Sequence, residues 1–259
     1  MVVPDGNGGK ESRRVRLDQL LVERGWTESR EEAKARIIAG EVFSGEKRFD
    51  KPGLAVPRSL PLQIRARIRP YVSFGGEKLA RALDHFQWDV SGKVVLDVGA
   101  STGGFTDCLL SRGAQKVYAY DVGHGQLDVK FRNDPRVVVI EKRNVRYLKP
   151  EEIPERLDLA CVDVSFISLC WVLPPIALCL KPEGSILALV KPQFELEKRE
   201  VGRGGIVRDP MKREKAVAKI EFFSRQKGWT LLGRCESPMK SAGSNVETFV
   251  LLKIGGDLL

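Results

Sequence analysis

The sequence is poor in the residues on which metal and redox chemistry depend. Two histidines, His85 and His124, occur in 259 residues, which argues against a histidine-rich metal site. The five cysteines, Cys108, Cys161, Cys170, Cys179 and Cys235, never form a C-x-x-C pair. Four of them sit in apolar runs, the pattern of small buried hydrophobes in a reducing compartment rather than of disulfides or zinc ligands. Long hydrophobic runs are missing too. The longest apolar stretch, Leu169–Leu180, is far short of a bilayer span and carries Pro174 and Pro175. The N-terminus, MVVPDGNGGKESRR, has no apolar core of signal-peptide length. These absences predict a soluble cytoplasmic protein with no bound metal and no membrane span.

Positive charge, by contrast, is in excess. Lysine and arginine number 43 against 34 acids, for a net charge of +9 and a pI near 9.4. That is high for an enzyme of small metabolites and points to a polyanion, nucleic acid first and an anionic membrane surface second. A hydrophobic fraction of 42% supports packed cores. The length allows one domain of usual size and a smaller one.

The stretch VVLDVGASTGGF, Val94–Phe105, organises the rest. It reads as an apolar strand with Asp97 at its end, a glycine-rich turn, and the start of a helix near Thr106. Gly99, Gly103 and Gly104 let backbone approach a ligand that a Cβ would obstruct. The spacing is neither that of dinucleotide sites nor that of phosphate loops, and no lysine follows to meet a phosphate. The acid at Asp97 would repel a pyrophosphate but suits a cationic or zwitterionic ligand. This combination resembles the glycine loop of S-adenosylmethionine-dependent methyltransferases, with Gly99, Ser101, Gly103, Gly104 and Phe105 around the cofactor. An ordinary strand–helix turn is the plainer alternative.

Residues 1–12 are polar and glycine-rich, a disordered leader. The first domain is expected over 13–62. Leu17, Leu20 and Leu21 share one face of a helix over Arg16–Arg24. A second helix has Ser29 as its N-cap, Ala33, Ile37 and Ile38 buried, and Gly40 past its last turn. Short strands follow at Glu41–Phe43 and Arg48–Phe49. The motifs R-L-D-x-x-L, S-R-x-x-A-x-x-x-I-x-x-G-x-V and K-P-G resemble the S4-type RNA-binding domain. That resemblance implies a small αα-plus-strands module presenting Arg16, Arg30, Lys34 and Arg36 to structured RNA. Arg65 and Arg67, in the alternating stretch 63–71 that serves as edge strand or linker, extend the basic surface. A solvated helix face is the alternative for these charges.

The second domain is expected over 72–254. Ser73–Gly76 is a turn before a helix over Glu77–Phe86, with Lys78 in a first turn where the helix dipole disfavours a cation. The strand that opens Val94–Phe105 and strands at Lys116–Asp121, Val137–Ile140, Leu157–Asp163 and Ile186–Lys191 alternate with helices. Glu195–Asp209 reads as a mobile basic loop, and a helix over Pro210–Lys227 precedes a final hairpin. This predicts an α/β, Rossmann-like, mostly parallel sheet with an antiparallel edge. In such a sheet the site lies at the carboxyl ends of the strands, where Asp97, Asp121, Asp163 and Lys191 all stand. Asp121 is placed to accept from both ribose hydroxyls of an adenosine, with Val122 beside it, and Asn144 is placed either to flank the adenine or simply to make a turn.

Lys78, Asp163, Lys191 and Glu247, in the contexts G-G-x-K-L, D-V-S-F-I-S-L, L-V-K-P-Q-F-E and N-V-E-T-F, resemble the Lys-Asp-Lys-Glu tetrad of FtsJ-type ribose 2′-O-methyltransferases. From about Val15 to Lys253 the chain resembles the TlyA, or hemolysin A-like, family. The resemblance implies S-adenosylmethionine-dependent 2′-O-methylation of ribosomal RNA, with cytidines in either subunit as targets. It makes Lys191 the base, Lys78 and Asp163 orienting or stabilising groups, and Glu247 the positioner of a lysine. One position departs: Phe74 stands where the family usually has arginine, which puts substrate choice or activity level in doubt. The other readings are a non-catalytic RNA-binding or ribosome-assembly factor and a membrane-active hemolysin. The second lacks both a spanning segment and an aromatic-anchored amphipathic helix.

Overall fold

The computed structural model describes residues 14–38, 40–65, 70–239 and 243–255. The expected leader, and Arg67 in the expected linker, lie outside the described residues. The chain forms two compact units, Met1–Ile68 and Arg69–Leu259.

In the first unit β1 (Arg14–Arg16) pairs antiparallel with β4 (Ala55–Pro57), around α1 (Leu17–Glu23) and α2 (Arg30–Ile38). The strands β2 (Val42–Ser44), β3 (Lys47–Phe49) and β5 (Gln63–Ile64) form a second, three-stranded sheet in the order β3-β2-β5. Ser29 Oγ accepts from the Glu32 amide at 3.1 Å, the expected N-cap. Leu17, Leu20, Leu21, Ala33 and Ile37 are buried against Val42, Phe49, Val56 and Leu62. Ile38, expected in that stripe, is 67% exposed. Arg16 is extended rather than helical, because Val15 buries itself by pairing with Val56. Gln63–Ile64 pairs with β2 and so belongs to this unit, past the expected boundary at residue 62.

The carboxylate of Asp18 is wholly buried, and Arg16 and Arg30 reach it at 2.9 and 3.1 Å. The Arg16 hydrogen bonds hold it down at about 2, against the opposing effect of burial.

The second unit is built on a seven-stranded sheet. Its strands are β6 (Val94–Val98), β7 (Lys116–Tyr120), β8 (Val137–Ile140), β9 (Leu157–Val162), β10 (Leu180–Val190), β11 (Thr230–Glu236) and β12 (Thr248–Lys253), in the order β11-β12-β10-β9-β6-β7-β8. Pairing is parallel from β10 through β8 and antiparallel at β10–β12 and β12–β11. Alternate residues of β6 enter two cores. Leu96 and Val98 face α6 (Leu169–Ala177) and α8 (Pro210–Gln226), while Val95 faces α3 (Phe74–His85) and α4 (Gly104–Ser111). Both faces are covered, so the central strands are predominantly apolar and most of their polar groups lie toward the ends.

Two short helices, α5 (Val129–Arg132) and α7 (Pro192–Glu195), complete the unit. Ser73–Gly76, expected as a turn, instead opens α3 from Phe74. The glycines serve packing there: a Cβ on Gly76 would meet the Tyr71 ring, and one on Gly104 would meet Ser73 Oγ and the Gly76 amide. Leu180 leaves α6 for β10, so that helix is shorter than Ile167–Leu180. The segment after Glu195 is pinned rather than free. Asn245 Oδ1 accepts from the Val207 amide at 2.8 Å, its Nδ2 donates to the Gly205 carbonyl, and Lys212 and Lys215 hold Glu200.

Asp18→Asn leaves two guanidinium groups without their shared charge. It is expected to destabilise the first unit by about 2 kcal/mol, less than for a fully buried pair because both arginines are half exposed. Because the folded carboxyl is depressed, this stabilisation is complete above about pH 4. It is lost as pH falls toward 2, and urea unfolding of parent and variant across that window measures it.

Candidate active site

Three parallel strands and one antiparallel strand bring the chemistry to one edge. Asp121, Asp163 and Lys191 each follow the last residue of a parallel strand, β7, β9 and β10. Glu247 precedes β12, whose Thr248 pairs with Val190 in the antiparallel sense, so the start of β12 lies beside the end of β10. Lys78, on α3, completes the set.

The four tetrad residues form two ion pairs. Lys78 Nζ is 2.6 Å from Glu247 Oε2, with both side chains 15% exposed. Lys191 Nζ is 2.5 Å from Asp163 Oδ1 and donates to Ser165 Oγ at 3.1 Å. Charges this far from water are held by their partners, and removing one member leaves the other exposed to the full cost of burial.

Two cavities meet at this edge. One, of about 540 Å³, runs from Gly99 and Ser101 past Asp121 and Val122 to Arg143–Arg146 and Asp163–Ile167. The other, of about 280 Å³, lies between the starts of α3 and α4 and is lined by Ser73, Lys78, Thr102, Gly104, Phe105 and Asp163 among others. Gly99, Ser101 and Asp163 line both, so the two are halves of one cleft. Gly99 has a φ of +86°, and a Cβ there would collide with the Asp163 carbonyl. Asp121 Oδ2 accepts from the Ser101 amide at 2.7 Å and Oδ1 from the Gly123 amide at 2.6 Å, which ties the glycine loop to the end of β7. Each oxygen keeps a lone pair for a further donor.

Other expected residues act differently. Asp97 lines neither cavity: it shares Val95's face of β6 and is completely buried. Thr106 Oγ1 donates to its Oδ2 at 2.7 Å, while Oδ1 has no hydrogen-bond partner. Burial pushes this carboxyl up to about 7, against the Thr106 hydrogen bond. Gly103 (φ +96°) is also absent from the lining, and its missing Cβ makes room for Phe131 and Leu127. Asn144 lines the larger cavity and at the same time makes a turn, its Oδ1 accepting from the Arg146 amide.

In the first unit, Arg16 and Arg30 are bound to Asp18, Lys34 lies 3.6 Å from Glu31, and Arg36 pairs with Glu32 and Glu41. Arg65 pairs with Glu46 and stacks 4.8 Å over the Phe43 ring. Sequence reasoning passed over Arg143, Arg146, Ser165 and Phe166. Phe166 is 90% exposed, adopts a left-handed φ of +64°, and sets its ring 5.0 Å from that of Phe194. Its signal was present in D-V-S-F-I-S-L, where a large apolar residue follows the strand-end acid.

The FtsJ-like methyltransferase family matches residues 71–254. This chain belongs to that family. Across 247 residues it is 45% identical to the 16S/23S rRNA (cytidine-2′-O)-methyltransferase TlyA of Mycobacterium tuberculosis, covering 95% of this chain and 92% of that protein. It is 42% identical to Hemolysin A of Brachyspira hyodysenteriae, over 90% of this chain and 97% of the relative. A solved Streptococcus thermophilus structure, also named for hemolysin, superposes with a TM-score of 0.74 at 39% identity, over 94% of this chain and 90% of that one. The FtsJ-like reading therefore holds for the fold of the second unit. Among the described residues no helix is long and apolar enough to cross a membrane.

Asp97 gives a signed pH prediction. Its folded value lies above the unfolded value of about 3.9. Its contribution to stability is therefore full below pH 4 and declines as pH rises toward 7, by about 1.4 kcal/mol per pH unit at most. Asp97→Asn should remove this decline, so that the variant gains on the parent as pH rises from 4 to 7 in thermal unfolding. Parallel curves would contradict the assignment.

Proposed function

We propose that this chain transfers a methyl group from S-adenosylmethionine to a ribose 2′-hydroxyl of ribosomal RNA, with cytidine as the nucleotide. The observation that carries the reading is the pair of lysine–carboxylate bridges, Lys78–Glu247 and Asp163–Lys191, flanking one cleft at the strand ends.

The residues present fit the cofactor. Gly99 and Gly104 line the cleft with backbone, and Gly99 lies so close to the Asp163 carbonyl that no Cβ fits there. Asp121 has lone pairs for a ribose diol, and Val122 and Val145 offer apolar surface to a base. S-adenosylmethionine, when bound, supplies a methyl group already activated by its sulfonium. The protein's task is then to hold the acceptor oxygen in line and take its proton. Lys191, as the free amine, takes the 2′-hydroxyl proton. Asp163 and Ser165 aim its nitrogen. Lys78, held by Glu247, puts a positive charge beside the oxygen as negative charge develops on it. Phe166, exposed at the cleft, gives the acceptor nucleotide's base a face to stack on.

The first unit supplies RNA affinity as an S4-type domain. Its arginines pair with carboxylates yet stay exposed enough to meet phosphate, Arg16 at 49% and Arg30 at 50%. The partners are ribosomal RNA or assembled subunits, and the compartment is the cytoplasm.

A transfer assay with radiolabelled cofactor on isolated ribosomal subunits tests this. The parent should methylate, and Lys191→Ala should lower kcat by at least about 100-fold while cofactor affinity by calorimetry stays within about threefold. Cofactor binding by the parent without transfer to either subunit would sink the enzyme reading in favour of an assembly factor. In the same calorimetric experiment Gly99→Ala should abolish measurable cofactor binding, since its Cβ has no room beside Asp163.

A further inference from the structure

Arg146 lies between two exposed aromatic rings. Its guanidinium carbon is 4.4 Å from the centroid of the Trp171 ring and 5.8 Å from that of Tyr147. Trp171 is 57% exposed and Tyr147 is 68% exposed. Both could have been placed inward, because their neighbours are. Val145 and Leu148 beside Tyr147, and Val172 and Leu173 beside Trp171, are buried in the core shared by the sheet and α6. The 3-10 turn Val145–Tyr147 and α6 pack on each other, so the rings are held outward by a fixed base.

The stretch that carries Arg146 and Tyr147 is strongly basic. Lys142, Arg143, Arg146 and Lys149 are exposed within one eight-residue stretch. Arg143 lies 3.8 Å from Glu152, whereas among the described residues no carboxylate is paired with Arg146. An exposed π surface interleaved with unneutralised cations matches an occupant with flat apolar faces and negative charge between them. A single-stranded nucleic acid has both, and stacking with electrostatic contact is how such strands are bound. The position is informative too. Arg146 lines the same cavity as Asp163 and Phe166, so a strand entering the cleft at Phe166 runs along this side.

We propose that Tyr147, Arg146 and Trp171 form a stacking platform for an unpaired RNA base next to the acceptor nucleotide. The platform binds substrate and takes no part in proton transfer. The proposal rests on the RNA methyltransferase reading above, and its test separates the two.

The full chain and three variants, Trp171→Ala, Tyr147→Ala and Arg146→Gln, are compared in four measurements. Affinity is read with a fluorescein-labelled single-stranded oligoribonucleotide and with an RNA duplex, cofactor affinity by calorimetry, and methyl transfer on ribosomal subunits. Loss of one stacked base corresponds to a 5- to 100-fold weaker single-strand affinity, roughly, for Trp171→Ala. For Trp171→Ala and Tyr147→Ala, whose rings line neither cavity, duplex affinity, cofactor affinity and saturating kcat should change by less than about twofold, while KM for subunits rises with the single-strand Kd. Arg146→Gln should reduce the salt dependence of binding by about one counterion. Because the side chains are exposed, melting temperatures should match the parent's.

Unchanged single-strand affinity and KM in all three variants would overturn the platform. So would a loss confined to cofactor affinity, which would assign the ladder to the cofactor, or to the duplex, which would make it a phosphate contact only. If the parent transfers no methyl group yet single-strand binding depends on the rings, the function reading fails and the platform stands. If the parent transfers and the rings are silent, the platform alone fails.

Discussion

The second unit depends on a parallel sheet whose two faces are both buried. With helices on either side, β6, β9 and β10 have no wet face on which to carry polar groups. Polar chemistry is therefore driven to the strand ends, and the C-terminal ends of parallel strands lie on one edge. Asp121, Asp163 and Lys191 are gathered by this constraint alone. The reversed direction of β12 adds Glu247 to the same edge from the far side of the sequence. Asp97, buried inside β6, shows what the constraint costs. It is fully buried with an unpartnered oxygen, and its carboxyl is pushed toward neutrality.

The two bridges at the edge are poor devices for stability. Charges 11–19% exposed lose much of their hydration, and a pair at that depth does little better than an apolar substitute. What they do is fix two lysine nitrogens, each against a carboxylate, at the edge where glycine backbone lines the cleft. The glycines do two jobs. Gly99 lets the loop pass against the Asp163 carbonyl, and Gly76 with Gly104 lets α3 and its Lys78 come close to α4. The cleft and the approach of Lys78 to α4 thus rest on the same absence of side chains.

Much of this was legible in the sequence. Apolar runs ended by acids marked the central strands, and the opening glycine stretch marked the cleft. The errors have physical causes. Gly75–Gly76 reads as a turn from local propensity, but helix contact overrides that preference and α3 begins at Phe74. The alternation of β6 places Asp97 on Val95's face, yet only the helix above, with Thr106, shows that this face is closed. In the first unit both helices could be read. Strands of two and three residues carry too little pattern, so β1 and the pairing of β5 were missed. Arg16 and Arg30 looked like surface charge because nothing local reveals a buried Asp18 between them. Trp171 was hidden for the opposite reason: inside LCWVLPPIA it looks like core, and only packing shows it facing out.

The central claim is that the edge-gathered lysines and acids direct a methyl group to a ribose oxygen of ribosomal RNA. Mass mapping of ribosomal RNA from cells with and without this protein tests it most directly. The account predicts a nucleotide, a cytidine, that carries one methyl group on its ribose only when the protein is present. Identical maps from the two cells, or a protein-dependent methyl group on a base instead of a ribose, would contradict it.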